Sequence, residues 1–126
     1  MTRFPYHTSR RPPIPAVTPT LRSRDGLHSV PAVPAYLDTA ADITVVPLHL
    51  VRQLGITPVG QAGVRGLGEA QVSVDVYEID IEIPHISIVS VLVIAHPDEP
   101  AVLIGRDILN LFRVTFDGPN QTVEFH

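Results

Sequence analysis

The sequence predicts an all-β barrel or sandwich carrying one or two short helices, and three observations lead there. Apolar residues recur in seven or more short runs that alternate or are rich in β-branched side chains. Gly, Pro and Asp punctuate the gaps, and only two segments, both short, have helical spacing. With 126 residues, 44% of them hydrophobic, the chain can bury the core of one domain and is too short for two.

Residues 1–13 are polar and Pro-rich and end in Pro12-Pro13. They read as an extended arm without a fold of its own, leaving 14–126 as the domain. Residues 14–22 and 27–37 read as two strands around Arg24-Asp25-Gly26, because Asp-Gly favours hairpin turns. Pro31 and Pro34 cannot donate to a ladder, so that stretch belongs at an edge or is irregular. Ala35-Tyr36-Leu37 then runs into the polar turn Asp38-Thr39-Ala40-Ala41-Asp42 and out through Ile43-Thr44-Val45-Val46. Pro47 to Leu54 suits a helix, with Pro at its first position, Leu48, Val51 and Leu54 on one face, and Gly55 as the stop.

Residues 58–65 read as a strand leading to Gly66-Leu67-Gly68. Beyond it, apolar residues alternate at Val72, Val74 and Val76 and then change phase to Ile79, Ile81 and Ile83, which predicts a bulge near Val76-Tyr77. Ile86 to Ile94 is mostly apolar and is expected to be a buried strand, and Val102-Leu103-Ile104 a short central one. Asp107 to Leu111 suits a short helix with Asp107 as cap. Phe112 to Phe116 and Thr122 to Phe125 would close the chain as a hairpin around Asp117-Gly118. No internal repeat is visible.

Composition narrows the function. There are no cysteines, so disulfides and thiolate metal sites are excluded. No apolar run reaches the ~18 residues of a membrane span. The opening Met1-Thr2-Arg3-Phe4-Pro5 lacks the apolar stretch of a signal peptide, which suits a cytoplasmic protein. The six histidines are scattered without ligand spacing, so no metal is expected. The net charge of −4 hides an asymmetry: Arg3, Arg10, Arg11, Arg22 and Arg24 precede every acid of the chain. Such a basic segment is compatible with nucleic-acid binding. No basic stripe with interleaved aromatics follows it, however, and a lead-in that packs along the body is the preferred reading.

Three motifs carry chemistry, and their order matters more than any one alone. They are Leu37-Asp38-Thr39-Ala40-Ala41-Asp42, the glycine-spaced Arg65-Gly66-Leu67-Gly68-Glu69, and Val102-Leu103-Ile104-Gly105-Arg106-Asp107-Ile108-Leu109. Taken together, they resemble the retropepsins, the single-lobe aspartic peptidases of retroviruses and their bacterial relatives. The resemblance covers about residues 30–116, and the opening Arg3-Phe4-Pro5-Tyr6 with its Pro-rich sequel looks like small bacterial members.

The resemblance implies a closed-barrel-like retropepsin fold, a homodimer, a peptide or protein substrate and no cofactor. Asp38 would be the catalytic carboxylate, Thr39 would hydrogen-bond across the two-fold axis and fix the two turns, and Ala40 would follow them in the catalytic motif. Asp42 would meet substrate backbone and pair with Arg106, while Gly105, Arg106 and Asp107 support the turn from beneath. Gly66, Leu67 and Gly68 would be the tip of a flap closing over substrate. Leu37, Val45, Leu67 and Leu103 would line apolar pockets.

The sequence departs from the family twice. Ala40 stands where glycine is usual, and would add roughly 1–2 kcal/mol of strain if its backbone had to be left-handed. The closing hairpin replaces a single interleaving strand, so the dimer is expected to be built differently. Plainer readings stand beside these: Asp38 as a turn former, Arg106 as a surface arginine, Asp107 as a cap only, Tyr77 as core. Gly66-Leu67-Gly68 as a phosphate loop lacks the following helix and Lys-Ser/Thr. A non-catalytic member of the fold that binds peptides or dimerises is the main alternative to an enzyme.

Overall fold

Side-chain burial in a computed structural model of the chain, described for residues 1–65 and 70–126, follows the alternation of its strands. In chain order the strands are β1 (Thr2–Pro5), β2 (Ala16–Val17), β3 (Thr20–Ser23), β4 (Ser29–Val30), β5 (Ala35–Leu37) and β6 (Val45–Pro47). Helix α1 (Leu48–Leu54) is followed by β7 (Gly60–Val64), β8 (Val72–Ile83), β9 (Ser87–His96) and β10 (Val102–Ile104). Helix α2 (Arg106–Leu109), β11 (Val114–Asp117) and β12 (Thr122–Phe125) complete the chain.

Nine strands form one curled sheet in the order β2-β5-β10-β6-β9-β8-β3-β4, with β7 added on β8. A separate three-stranded sheet has the order β1-β12-β11. The fold is therefore all-β with two short helices, as the sequence predicts. The core lies on the concave side of the large sheet. Leu21, Ile79, Ile81, Val93, Val102 and Ile104 fill it, capped by Val51 and Leu54 of α1, Ile108 of α2, and Val123 and Phe125 of β12.

Several expectations are corrected. Strand β8 carries no bulge: it keeps an unbroken register with β7 (Gly60↔Val76 to Val64↔Val72) and with β9 (Val76↔Ile94 to Ile83↔Ser87). The phase change marks a change of covered face instead. From Tyr77 onward the odd residues face the core, whereas Val72 and Val74 belong to the projecting β7–β8 hairpin and line a cleft. Strand β9 is not fully buried, since Ile88 and Leu92 are 57% and 50% exposed on its outer face. Pro47 ends β6 and caps α1 rather than opening it, and Gly55 closes the helix in the left-handed conformation (φ 65°). The N-cap of α2 is Gly105, not Asp107.

The first residues are tied into the fold. Strand β1 pairs antiparallel with β12 from Thr2↔Phe125 to Pro5↔Thr122, and Phe4 meets the Phe125 ring edge to face at 5.8 Å. The pairing joins chain segments 121 positions apart (Arg3 with Glu124), which no local pattern announces. Four of the five early arginines are also engaged. Arg3 pairs with Glu124, Arg22 with Glu82, and Arg24 with Glu78 and Asp80, while Arg10 lies over the Tyr36 ring.

Candidate active site

Two strands that end side by side create the site. β5 and β10 run parallel, with Val102↔Ala35 and Ile104↔Leu37 in register. One continues into Asp38 and the other into Gly105-Arg106-Asp107, so the two motifs meet although they lie far apart in sequence. The Asp38 N–H donates to the Ile104 carbonyl (2.9 Å), which fixes the acid at the strand end. Its carboxylate accepts from the Ala40 N–H (3.0 Å), and its carbonyl from the Ala41 N–H (3.2 Å). This is the turn that aspartate makes well. Asp38 is half-buried, whereas Thr39, Ala40 and Asp42 are exposed.

Arg106 braces this turn from the second loop. Its guanidinium forms an ion pair with Asp42 and donates to the Thr39 carbonyl (2.8 Å), while its backbone N–H donates to the Ala41 carbonyl (2.9 Å). The planar fork of arginine suits two acceptors at once. Gly105 is required for a steric reason. A Cβ there would lie 2.9 Å from the Ile43 carbonyl carbon and 3.0 Å from the Ala41 carbonyl oxygen, both backbone atoms that cannot yield.

Thr44 is the residue that the sequence reading overlooked. It is fully buried and joins both loops. Its hydroxyl donates to Asp107 Oδ1 (2.8 Å) and accepts from the Gly105 N–H (3.1 Å), and its own N–H donates to Asp107 Oδ2 (2.9 Å). Asp107 also accepts from the Ile108 N–H (2.9 Å), so its carboxylate is a junction between the Asp38 segment and α2. The signal for Thr44 was weak, because Ile43-Thr44-Val45-Val46 reads as ordinary β-branched strand.

Above the turn lies a cleft of about 490 Å³. Ala40, Ala41, Asp42, Ile43 and Val45 form its floor, and Ala62 to Arg65 of the hairpin its roof. A neighbouring cavity of about 400 Å³ shares Val45, Val64, Arg65 and Ile94 and adds Val72, Val74, His96 and Glu99. Of the four residues expected to line pockets, Val45 does so. Leu37 is instead buried in the main core, and Leu103 packs with Ala16, Tyr36 and Ala101. Gly66, Leu67 and Gly68, expected as the flap tip, lie outside the described residues. Among the described residues no three His, Asp or Glu side chains converge on a metal position, and no helix is long and apolar enough to cross a membrane.

Ala40 does not carry the strain that the sequence left open. Its φ is not positive, unlike those of Ala32, His85 and Gln121, so the backbone does not demand glycine there. Its methyl group is simply part of the cleft floor.

Comparison with known proteins supports the architecture. No protein-family model matches the chain, and no curated protein matches it significantly. Among solved structures, the solution structure of the simian foamy virus (mac) protease is similar with a TM-score of 0.53 at 17% identity, over 75% of this chain and 91% of that one. The foamy viral protease-reverse transcriptase bound to an RNA/DNA hybrid is similar with a TM-score of 0.57 at 17% identity. That match covers 79% of this chain, which spans only 12% of the longer protein. The foamy viral protease-reverse transcriptase dRH in complex with double-stranded DNA gives 0.53 at 18% identity, over 77% of this chain and 15% of that one. The chain has the fold of the foamy virus proteases.

Proposed function

We propose that the chain is one subunit of an aspartic endopeptidase in which Asp38 from each of two copies forms the catalytic pair. The observation that carries this reading is the Asp38 turn itself. A half-buried acid is pinned by its backbone to Ile104 and braced through Arg106, and its neighbours Thr39 and Ala40 face solvent, Ala40 within the lining of a cleft. One carboxylate cannot both activate water and protonate a carbonyl oxygen. Two held close share a single proton, because both cannot ionise together. The ionised member then takes a proton from water as general base, and the protonated member donates to the peptide carbonyl. Symmetry supplies the second member, since a two-fold axis sets the same residue on both sides.

The substrate would be an extended peptide lying between the floor and the β7–β8 hairpin. The apolar lining by Ile43, Val45, Val64, Val72, Val74 and Ile94 favours apolar side chains near the cut bond. The proteases to which the fold is similar support the same direction. We read the chain as a bacterial-type, cytoplasmic member on its Arg3-Phe4-Pro5-Tyr6 opening and its lack of cysteine. Nucleic-acid binding is disfavoured, because Arg3, Arg22 and Arg24 already pair with acids of the body.

Cleavage of a mixed peptide library tests the reading. The wild-type chain is expected to hydrolyse internal bonds, and Asp38→Asn to lose at least about 10²-fold of that rate while remaining folded. Undiminished cleavage by Asp38→Asn would refute it. A folded chain that binds peptides without cutting them would favour the non-catalytic alternative, for which Ala40 in the cleft floor is the supporting observation.

A further inference from the structure

We infer that Arg10 of the lead-in reads the substrate, selecting peptides with an acidic side chain roughly two or three extended residues from the cut bond. This rests on the reading of Asp38 as a catalytic carboxylate. The strands beneath the site place Arg10 where it can do so. Alternate residues of β2, β5, β10 and β6 face opposite ways. Val17, Ala35, Leu37, Ile104 and Val46 enter the main core. Ala16, Tyr36, Leu103 and Val45 stand in one row on the other face, through the pairs Ala16↔Tyr36, Leu103↔Tyr36 and Leu103↔Val45. Val45 lines the cleft, so the row carries the cleft surface across β10 to Tyr36, two residues before Asp38.

The lead-in covers the far end of this row. His7 and Ile14 exchange backbone hydrogen bonds at 2.8 and 3.2 Å and so close a loop. That loop sets the His7 ring 5.7 Å from the Tyr36 ring and the Arg10 guanidinium 5.2 Å from its centre. Tyr36 is 8% exposed beneath this cover, whereas Arg10 itself is exposed. A guanidinium anchored on a ring keeps N–H groups for a carboxylate, in a fork that matches its two oxygens. Arg3, Arg22 and Arg24 are already spent on glutamates of the body, but Arg10 has no acidic partner among the described residues.

Spacing sets the reach. Alternation along β5 directs Asp38 to the side of Tyr36, roughly 7 Å further on at ~3.3 Å per residue. A peptide cut at Asp38 therefore carries a neighbouring side chain past the Tyr36 end of the row, where the unpaired cation stands. The other charges of the groove make no such choice. Asp42 is neutralised by Arg106, and the second cavity is lined by both Arg65 and Glu99. Arg10 as a mere cover for Tyr36 is the competing role, and it differs in not depending on the charge of the substrate.

Matched peptides test this, with circular dichroism to establish folding. A sequence that the wild-type chain cuts is varied as Glu, Gln or Lys at one position at a time, moving outward from the cut bond. At one position Glu should exceed Lys in kcat/KM by about 10-fold, and added salt should shrink the difference, because an exposed guanidinium is screened. Arg10→Glu should reverse the order, Arg10→Gln should level it, and Arg11→Gln, its exposed neighbour, should keep it. Arg10→Gln decides the matter if Arg10→Glu does not fold. A Glu preference that survives the loss of Arg10, or faster cleavage of all three peptides alike in Arg10→Gln, would overturn the inference. If the wild-type chain cuts nothing, fluorescence anisotropy reads binding of two labelled peptide pools, random except for a single Glu or a single Lys. Tighter binding of the Glu pool, reversed in Arg10→Glu, would leave the inference standing and remove the endopeptidase reading. Cleavage indifferent to charge would do the reverse, and a chain that neither cuts nor binds would remove both.

Discussion

Replacing Thr44 by valine removes a hydroxyl and keeps the shape of the side chain, so it isolates the junction beneath the Asp38 turn. Two bonds are lost: the donation to Asp107 Oδ1 at 2.8 Å and the acceptance from the Gly105 N–H at 3.1 Å. Thr44 is fully buried, so no water takes the hydroxyl's place. An unpaired buried N–H costs about 1–3 kcal/mol, and a lost hydrogen bond to a carboxylate about 1.5–3 kcal/mol. Asp107 keeps the Thr44 and Ile108 N–H groups at 2.9 Å and is only half-buried, which pulls the sum toward its lower end. The expected net loss is about 2–4 kcal/mol.

Thr44→Ser is the control. It keeps both bonds and deletes one methyl group, at about 1 kcal/mol including the small cavity. Urea unfolding at one fixed protein concentration measures both variants. With a slope of about 1–3 kcal/mol per molar, the valine variant should shift the midpoint by about 1 M or more, and the serine variant by much less. Holding concentration constant matters, because dimerisation would add to apparent stability. A valine variant no less stable than the serine variant would show that Thr44 acts through packing and that the junction is not held by its hydroxyl.

Arg106→Ala should lose no more than about 1 kcal/mol of stability from the Asp42 pair, whose partners are 42% and 85% exposed, yet it should depress peptide cleavage strongly by loosening the Thr39 carbonyl. Arg106→Lys should fail to restore cleavage, because an ammonium cannot reproduce the two-acceptor fork; full activity in the lysine variant would count against the brace. Ala40→Gly should reduce stability by about 0.5–1 kcal/mol in thermal unfolding, since its φ is already ordinary and glycine only adds freedom to the unfolded chain. The same variant should raise cleavage if the methyl group obstructs the floor, and a stabilised variant would show that the turn is strained after all. The Asp25 carboxyl is held below its ordinary value of 3.8 by the Ser23 hydroxyl and the Leu27 N–H. A depressed folded-state value means that this carboxylate favours the folded chain above about pH 3.8 and that the contribution is lost as pH falls through the folded value. Ser23→Ala should therefore move the Asp25 titration upward by NMR; an unmoved titration would refute the assignment.

What could be read from the sequence was local chemistry, and what could not was the choice of distant partner. The Asp38 segment was legible as a turn, because Asp38-Thr39-Ala40-Ala41-Asp42 interrupts two apolar runs. The Arg106–Asp42 pair was legible only through the order of the motifs. The phase change in β8 was visible, but one strand's pattern cannot say whether its backbone bulges or its covering changes. Covering depends on β7 and β9, and the unslipped register with both decides for covering. Gly105 was recognisable as part of a motif, while its cause, the Ile43 and Ala41 backbone against its Cα, exists only once the two loops cross. Thr44 was hidden because a β-branched residue in a strand attracts no attention, although its hydroxyl ties its own segment to both Gly105 and Asp107 of the second loop. The lead-in shows the same rule at the largest scale. Its prolines and arginines suggest an extended arm, but only Thr2–Pro5 is strand, and residues 8–12 turn back so that His7 pairs with Ile14. Only the pairing of Phe4 with Val123 and its packing on Phe125 turns Thr2–Pro5 into an outer strand of the three-stranded sheet.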